Sequence, residues 1–248
     1  KLINIEGRGS SAEYEILGNG EPLLYLHGAF GLKWSMPLVE ALAARHTVIA
    51  PHLPGYGRSD GLEHIKSFYD LSVWIDEVLD AQGIDSVQVV GHDFGGAAAA
   101  EYAALFRRRV SALTLLAPYG LWPEGEPLAD IFGLTPGALT KLIFADPLGE
   151  PAQDFNRQYP DKAQQDEAIL ARRQAMIAAA KLLWPIPDKG LAHRLYRIRV
   201  PALVVGGRHD RMMDASYIAR FASGIRGARI ASVEAGHMIP QEAASEVA

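Results

Sequence analysis

The sequence contains no cysteine, which excludes a disulfide framework, thiol nucleophiles and thiolate metal sites and fits a reducing, cytoplasmic setting. It also lacks a positive balance: 24 Lys and Arg against 29 Asp and Glu leave a formal charge of −5, so no nucleic-acid partner is expected. Its one dense basic cluster, Arg107, Arg108 and Arg109, closes a helical pattern, where cations complement the helix dipole. No apolar run approaches the roughly 18 residues needed to span a bilayer, and the first residues lack the layout of a secretory signal, so no membrane partner is expected. His46, His52, His64, His193 and His209 show no ligand spacing, so no metal and no cofactor are expected.

What the chain does have is an alternation of short apolar runs with longer helical patterns, the mark of a mostly parallel, doubly wound α/β sheet. Two runs at 2–5 and 14–17 suggest an opening hairpin around a Gly-Ser turn. Six more follow, at 22–28 (PLLYLHG), 47–55 (TVIAPHLPG), 86–93 (SVQVVGHD), 111–118 (SALTLLAP), 201–210 (PALVVGGRHD) and 228–237 (ARIASVEAGH). Leu71, Trp74, Ile75, Val78 and Leu79 share one helix face, and Ile218, Phe221 and Ala222 share another.

The rhythm breaks after Leu121. Residues 121–190 carry no strand pattern, only helical stretches divided by Pro123, Pro136, Pro147, Pro151, Pro160 and Pro185. They read as a helical cap inserted into a core made of residues 1–120 and 191–248.

In such sheets ligands bind beyond the carboxyl ends of the strands. Each of those ends here carries a polar or glycine-rich motif: HGAF, LPGYGRSD, GHDFGG, GGRHD and AGHM. The third has the layout of a strand-to-helix elbow, G-x-S-x-G, with Asp93 where serine normally stands and Gly91, Gly95 and Gly96 around it. An aspartate capping an ordinary helix would give a similar local pattern. What distinguishes the elbow is its company, because Asp210 ends GGRHD and His237 lies in AGHM, giving the chain order nucleophile, acid, histidine. Asp214 is the alternative acid.

On these motifs the chain resembles the α/β-hydrolase fold superfamily over essentially its whole length, and its Asp-elbow branch of epoxide hydrolases and dehalogenases in particular. The resemblance implies a catalytic triad of Asp93, Asp210 and His237. It also implies an oxyanion hole from the N–H groups of Ala29 and Phe94, with Phe30 as the alternative to Ala29. His27 and His92 are expected to be structural hydrogen-bonding groups. Arg58, Ser59 and Asp60 are expected to anchor their loop, and the turn Gly55-Tyr56-Gly57 is no phosphate loop.

An aspartate, already ionised at neutral pH, suits attack on a saturated carbon and forms an alkyl ester, which leaves the histidine for hydrolysis of that ester. Haloalkane and haloacetate dehalogenases usually follow the aspartate with Trp or Arg, where this chain has Phe94. Epoxide hydrolases need an acid for the opening oxygen, for which Tyr119, Tyr159 and Tyr196 are candidates. They also usually read H-G-x-P, and Phe30 replaces that proline. Serine members often read G-H-S-F-G-G, so an ester, lactone or carbon–carbon bond hydrolase whose serine has become Asp93 is the second reading. A ligand-binding protein without turnover is the third. The expected partner is a small or medium apolar substrate, in a pocket drawn from Phe30, Tyr119, Trp122, Tyr159, Trp184 and Met238, in a monomer or homodimer.

Overall fold

All eight apolar runs form strands, and the glycine-rich and polar motifs take the chain out of the sheet at their carboxyl ends, the strands at 87–92 and 202–207 each running two residues into theirs. The computed structural model describes residues 1–5, 9–123, 125, 127–185 and 188–248. Strands β1 (Leu2–Ile5) and β2 (Ser10–Leu17) pair antiparallel, with Ile5 opposite Ser10, so the strand starts earlier than the expected Gly-Ser turn allowed. The connecting residues 6–8 lie outside the described residues. Then follow β3 (Glu21–Leu26), helix α1 (Met36–Leu42), β4 (His46–Pro51), α2 (Phe68–Ala81), β5 (Val87–His92), α3 (Asp93–Leu105) and β6 (Val110–Leu116). Helices α4 (Pro136–Ile143), α5 (Glu150–Phe155) and α6 (Lys162–Leu183) come next, before β7 (Ala202–Gly207), α7 (Ala215–Ser223), β8 (Arg229–Val233), α8 (Ile239–Glu242) and α9 (Ala244–Val247).

The strands lie in the order β1-β2-β4-β3-β5-β6-β7-β8. The first two pairings are antiparallel and the other five parallel. Parallel strands need both faces covered, and the apolar runs of β3, β5 and β7 supply residues buried on both. On α2 the five residues expected to share a face are all buried, and the side chain of Ser67 caps the helix by accepting the N–H of Asp70. Between β6 and β7, where the sheet pattern lapses, the described residues of 121–190 hold α4 to α6 and no strand.

Helix α3 leaves the centre of the sheet and is buried along nearly its whole length. Its alanines let it lie close to the strands, and its buried Glu101 is paired with Arg194 at 2.6 Å. The closest approach is at Gly95, where a Cβ would stand 2.2 Å from the carbonyl oxygen of Leu26 and 2.4 Å from that of His27. Since backbone cannot swing aside as a side chain can, Gly95→Ala is expected to lose about 3 kcal/mol or more, a Tm fall of roughly 6 to 12 °C. Gly137→Ala, whose Cβ would meet nothing within 4 Å, is the matched control and should melt at or above the parent. Thermal unfolding followed by circular dichroism reads both.

Candidate active site

Asp93 is buried at the junction of β5 and α3 with φ +51°, a left-handed conformation that few non-glycine residues adopt and that Asp and Asn tolerate best. The sharp turn lifts its carboxylate beyond the strand end. One oxygen, Oδ2, accepts the N–H of Ala29 at 2.8 Å. The other, Oδ1, has no hydrogen-bond partner and lies 3.4 Å from His237 Nε2, which has none either. On the far side of the ring, His237 Nδ1 is 2.9 Å from Asp210 Oδ2. Asp210 Oδ1 accepts the N–H groups of Met212 and Met213 at 2.8 and 2.9 Å, which fixes the carboxylate in the loop after β7.

Three groups that are far apart in sequence thus meet because β5, β7 and β8 end on one side of the sheet. Asp214, the alternative acid, does not join them. It is exposed, caps α7 by accepting the N–H of Tyr217 and also accepts the hydroxyl of Ser216.

Electrostatics follow from the burial of all three groups. Burial disfavours the charged imidazole, but the two flanking carboxylates outweigh it, Asp210 first and then Asp93, and His237 is pushed up to about 10. Burial likewise opposes ionisation of Asp93, and the His237 cation, His92 and the Ala29 N–H together hold its carboxyl below the usual range. The resting site is therefore an imidazolium between two carboxylates. Because the folded-state value of His237 lies above its ordinary 6.5, its contribution to stability is complete below about pH 6.5 and is lost as pH rises through 10. The Tm should fall between pH 7 and 10, and His237→Gln should flatten that slope. Equal slopes in parent and variant would contradict the assignment.

Both neighbouring histidines hold structure. His27 Nδ1 lies 2.8 Å from the carbonyl of Gly28, while its Nε2 accepts the N–H of Leu53. Burial lowers it to about 3, so it stays neutral. His92 is lowered to about 4 by burial and then by the charge of His237. Its Nε2 lies 2.8 Å from the carbonyl oxygen of His237, bracing the histidine loop. The loop carrying Arg58, Ser59 and Asp60 is tied to β2 through Arg58–Glu13, Ser59–Glu13 and Asp60–Ser11 contacts.

A matching family profile, described as alpha/beta hydrolase fold, covers residues 21–176. The chain belongs to the α/β-hydrolase fold family. RutD of Azorhizobium caulinodans, assigned by name as a carbamate hydrolase, is 31% identical over 242 residues, 93% of this chain and 89% of that protein. A 2-hydroxy-6-oxononadienedioate/2-hydroxy-6-oxononatrienedioate hydrolase of Paraburkholderia phymatum is 30% identical over 251 residues, 92% of this chain and 85% of its own. Among solved structures, a bacterial membrane phospholipase A superimposes over 100% of this chain and 82% of its own with a TM-score of 0.80, at 21% identity, a likeness of fold alone.

Within this α/β hydrolase the expected site residues fall into three groups. Asp93, Asp210, His237 and the Ala29 N–H meet. Phe94 follows Asp93 in the first turn of α3, where helix geometry leaves its N–H without an intrahelical acceptor, and its ring packs on Phe68 at 5.7 Å. Phe30 turns its ring edge-on to Phe155 at 5.2 Å, and Met238 is buried directly after His237.

The expected pocket needs correction. Tyr119 and Trp122 line one narrow cleft with Phe68, Leu121, Leu183 and Lys189. Trp184 is 54% exposed and packs against Phe132, because it lies just past the last turn of α6 rather than under it. Tyr159 lies in the loop between α5 and α6, outside that cleft, with its N–H given to Gln165. Tyr196 is 59% exposed.

Two residues not singled out from sequence anchor the loops that carry Asp210 and His237. Glu242 accepts the N–H of Gly236 with one oxygen and that of Ala145 with the other, both at 2.8 Å. Arg211, adjacent to Asp210, donates to the carbonyls of Lys141, Phe144 and Ala145 at the end of α4. Met238 adds an N–H to the carbonyl of Ile143. The acid loop and the histidine loop therefore both grip the first inserted helix.

Proposed function

We propose that this hydrolase cleaves a small or medium apolar substrate through an alkyl ester on Asp93, with epoxides the preferred class. The observation that carries the reading is the unequal setting of the two Asp93 oxygens. Oδ2 is held by the Ala29 N–H, whereas Oδ1 accepts no hydrogen bond and faces His237 Nε2 at 3.4 Å. In the first step Oδ1 attacks an epoxide carbon, the carbon–oxygen bond breaks, and the opened oxygen takes a proton from an acid. Tyr119 suits that role. Its hydroxyl is buried without a hydrogen-bond partner among the described residues, and burial, then the Asp93 charge, push its phenol up, so it carries its proton.

Esterification removes one of the two anions that keep His237 charged. The imidazole then returns a proton to the Tyr119 phenolate and becomes a base for water, whose oxygen attacks the Asp93 carbonyl carbon. The oxyanion forms on Oδ2, at the Ala29 N–H, a contribution of about 3 to 4 kcal/mol where one such donor has been removed from a protease. Collapse expels the alkoxide, which takes a proton from His237 to leave as a diol, and the new Asp93 carboxyl gives its own proton to His237, restoring the starting ions. Asp210 orients the imidazole throughout. In this reading α4 to α6 act as a cap over the core, with Leu183 of α6 lining the Tyr119 and Trp122 cleft.

The relatives favour a second reading. The two named above are called hydrolases of a carbamate and of an oxononadienedioate, neither of them an epoxide hydrolase. An ester or carbon–carbon bond hydrolase in which Asp93 replaces serine follows that lead. A panel of terminal epoxides, haloalkanes, esters and lactones, run on the parent and on Asp93→Ser, separates them. Epoxide turnover by the parent supports the Asp93 ester. An inert parent with esterase or carbon–carbon hydrolase activity in Asp93→Ser supports the second reading instead.

A further inference from the structure

Among the described residues the half-buried Arg109 and Arg194 are paired with acids, and the half-buried Arg197 donates to the carbonyl of Ala104. Arg109 meets Asp76 and Asp80, Arg194 meets Glu101, and Arg58 meets Glu13. Arg172, on α6, is half-buried, and among the described residues no carboxylate pairs with it. Its guanidinium carbon lies 4.4 Å from the centre of the Phe155 ring. It opens onto a groove of about 310 Å³ between α4, α6 and the segment before α4, otherwise lined by apolar side chains such as Ile131, Phe132, Leu139, Met176 and Ile177.

A half-buried cation without a counter-ion loses hydration with little in return. The aromatic ring satisfies one face of the guanidinium and leaves its planar N–H edge to bind a second group, and a carboxylate matches that fork with two parallel hydrogen bonds. A phosphate dianion fits less well, since a single cation would leave a second charge among apolar walls. The Phe155 ring under Arg172 meets Phe30, whose neighbour Ala29 holds Asp93.

We propose that the groove between α4 and α6 binds an apolar substrate arm ending in a carboxylate, with Arg172 holding the carboxylate. This assignment deepens the hydrolytic reading of Asp93 and rests on it for the word substrate, but its binding can be measured without turnover.

Calorimetric titration of Asp93→Asn with octanoate and with 1-octanol isolates the charge, and the same titrations follow with Arg172→Gln and Arg172→Lys added. Octanoate should bind more tightly than octanol. Arg172→Gln should weaken octanoate about tenfold or more and leave octanol unchanged, and Arg172→Lys should recover part of the loss. Equal octanoate affinity with and without Arg172→Gln, in protein that melts as the parent does, overturns the proposal. In the active protein, Arg172→Gln should raise KM for an epoxide bearing a terminal carboxylate while leaving kcat and the uncharged epoxide unaffected. An unchanged KM also overturns it. Epoxides that fail to react while octanoate binding still depends on Arg172 would refute the Asp93 route and leave the groove standing.

Discussion

Replacing Asp93 by asparagine is expected to lower turnover by about 10⁴- to 10⁶-fold, the scale on which loss of a covalent nucleophile acts in a well-studied protease. Asparagine is the informative substitution because it tolerates the left-handed backbone at φ +51°. Its side chain also keeps an oxygen for the Ala29 N–H. The elbow should therefore survive while the attacking oxygen disappears, and the loss should fall on kcat rather than on stability. Thermal melting checks the second point. An Asp93→Asn variant with parent-like turnover, shown by mass spectrometry to be free of deamidated protein, would remove Asp93 from the chemistry.

Replacing His237 by glutamine is expected to have a different effect, and the difference carries mechanistic information. With a carboxylate nucleophile the first step needs no base, so the ester should still form. Its hydrolysis should slow by about 10² to 10⁴, the usual contribution of a general base. The intact protein should then gain the mass of one substrate molecule per chain, located on the peptide that holds Asp93. A serine-type reaction behaves otherwise, since there the histidine is needed to activate the nucleophile and its loss prevents any adduct. Rapid adduct formation in His237→Gln, with slow release, separates the two routes within one variant.

The parts of the fold legible in the sequence were those written in local pattern. Alternating strand and helix periods located all eight strands, and the glycines around Asp93 marked the elbow because a close approach must show in the residues that make it. Asp210 and His237 could be matched because each ends a strand, and in a parallel sheet such ends lie together. Asp210 could not be separated from Asp214 so directly. What divides them is backbone: the N–H groups of Met212 and Met213 turn toward Asp210, while Asp214 opens a helix. A helix-start pattern after Asp214 was the available signal.

Long-range packing was the illegible part. Glu242 reaches Ala145, and Arg211 reaches Lys141 and Phe144, across many residues with no motif to announce it. The inserted segment was hardest, because α6 carries apolar residues on more than one face, so pattern alone did not decide which aromatic residues face inward. Trp184, just past the end of α6, and Tyr159, in the loop before it, lie outside the Tyr119 cleft. Arg172 went unnoticed because an arginine on a helix ordinarily reaches solvent, and only the rings around it mark this one.

The proposed covalent role of Asp93 is tested most directly by isotope transfer. After many turnovers of an epoxide in oxygen-18 water, water oxygen delivered to the Asp93 carbonyl carbon should remain in its carboxylate when the ester collapses. Label in the peptide containing Asp93, present only with substrate and absent in Asp93→Asn, is the expected result. Sustained turnover with no label in that peptide would contradict an Asp93 ester.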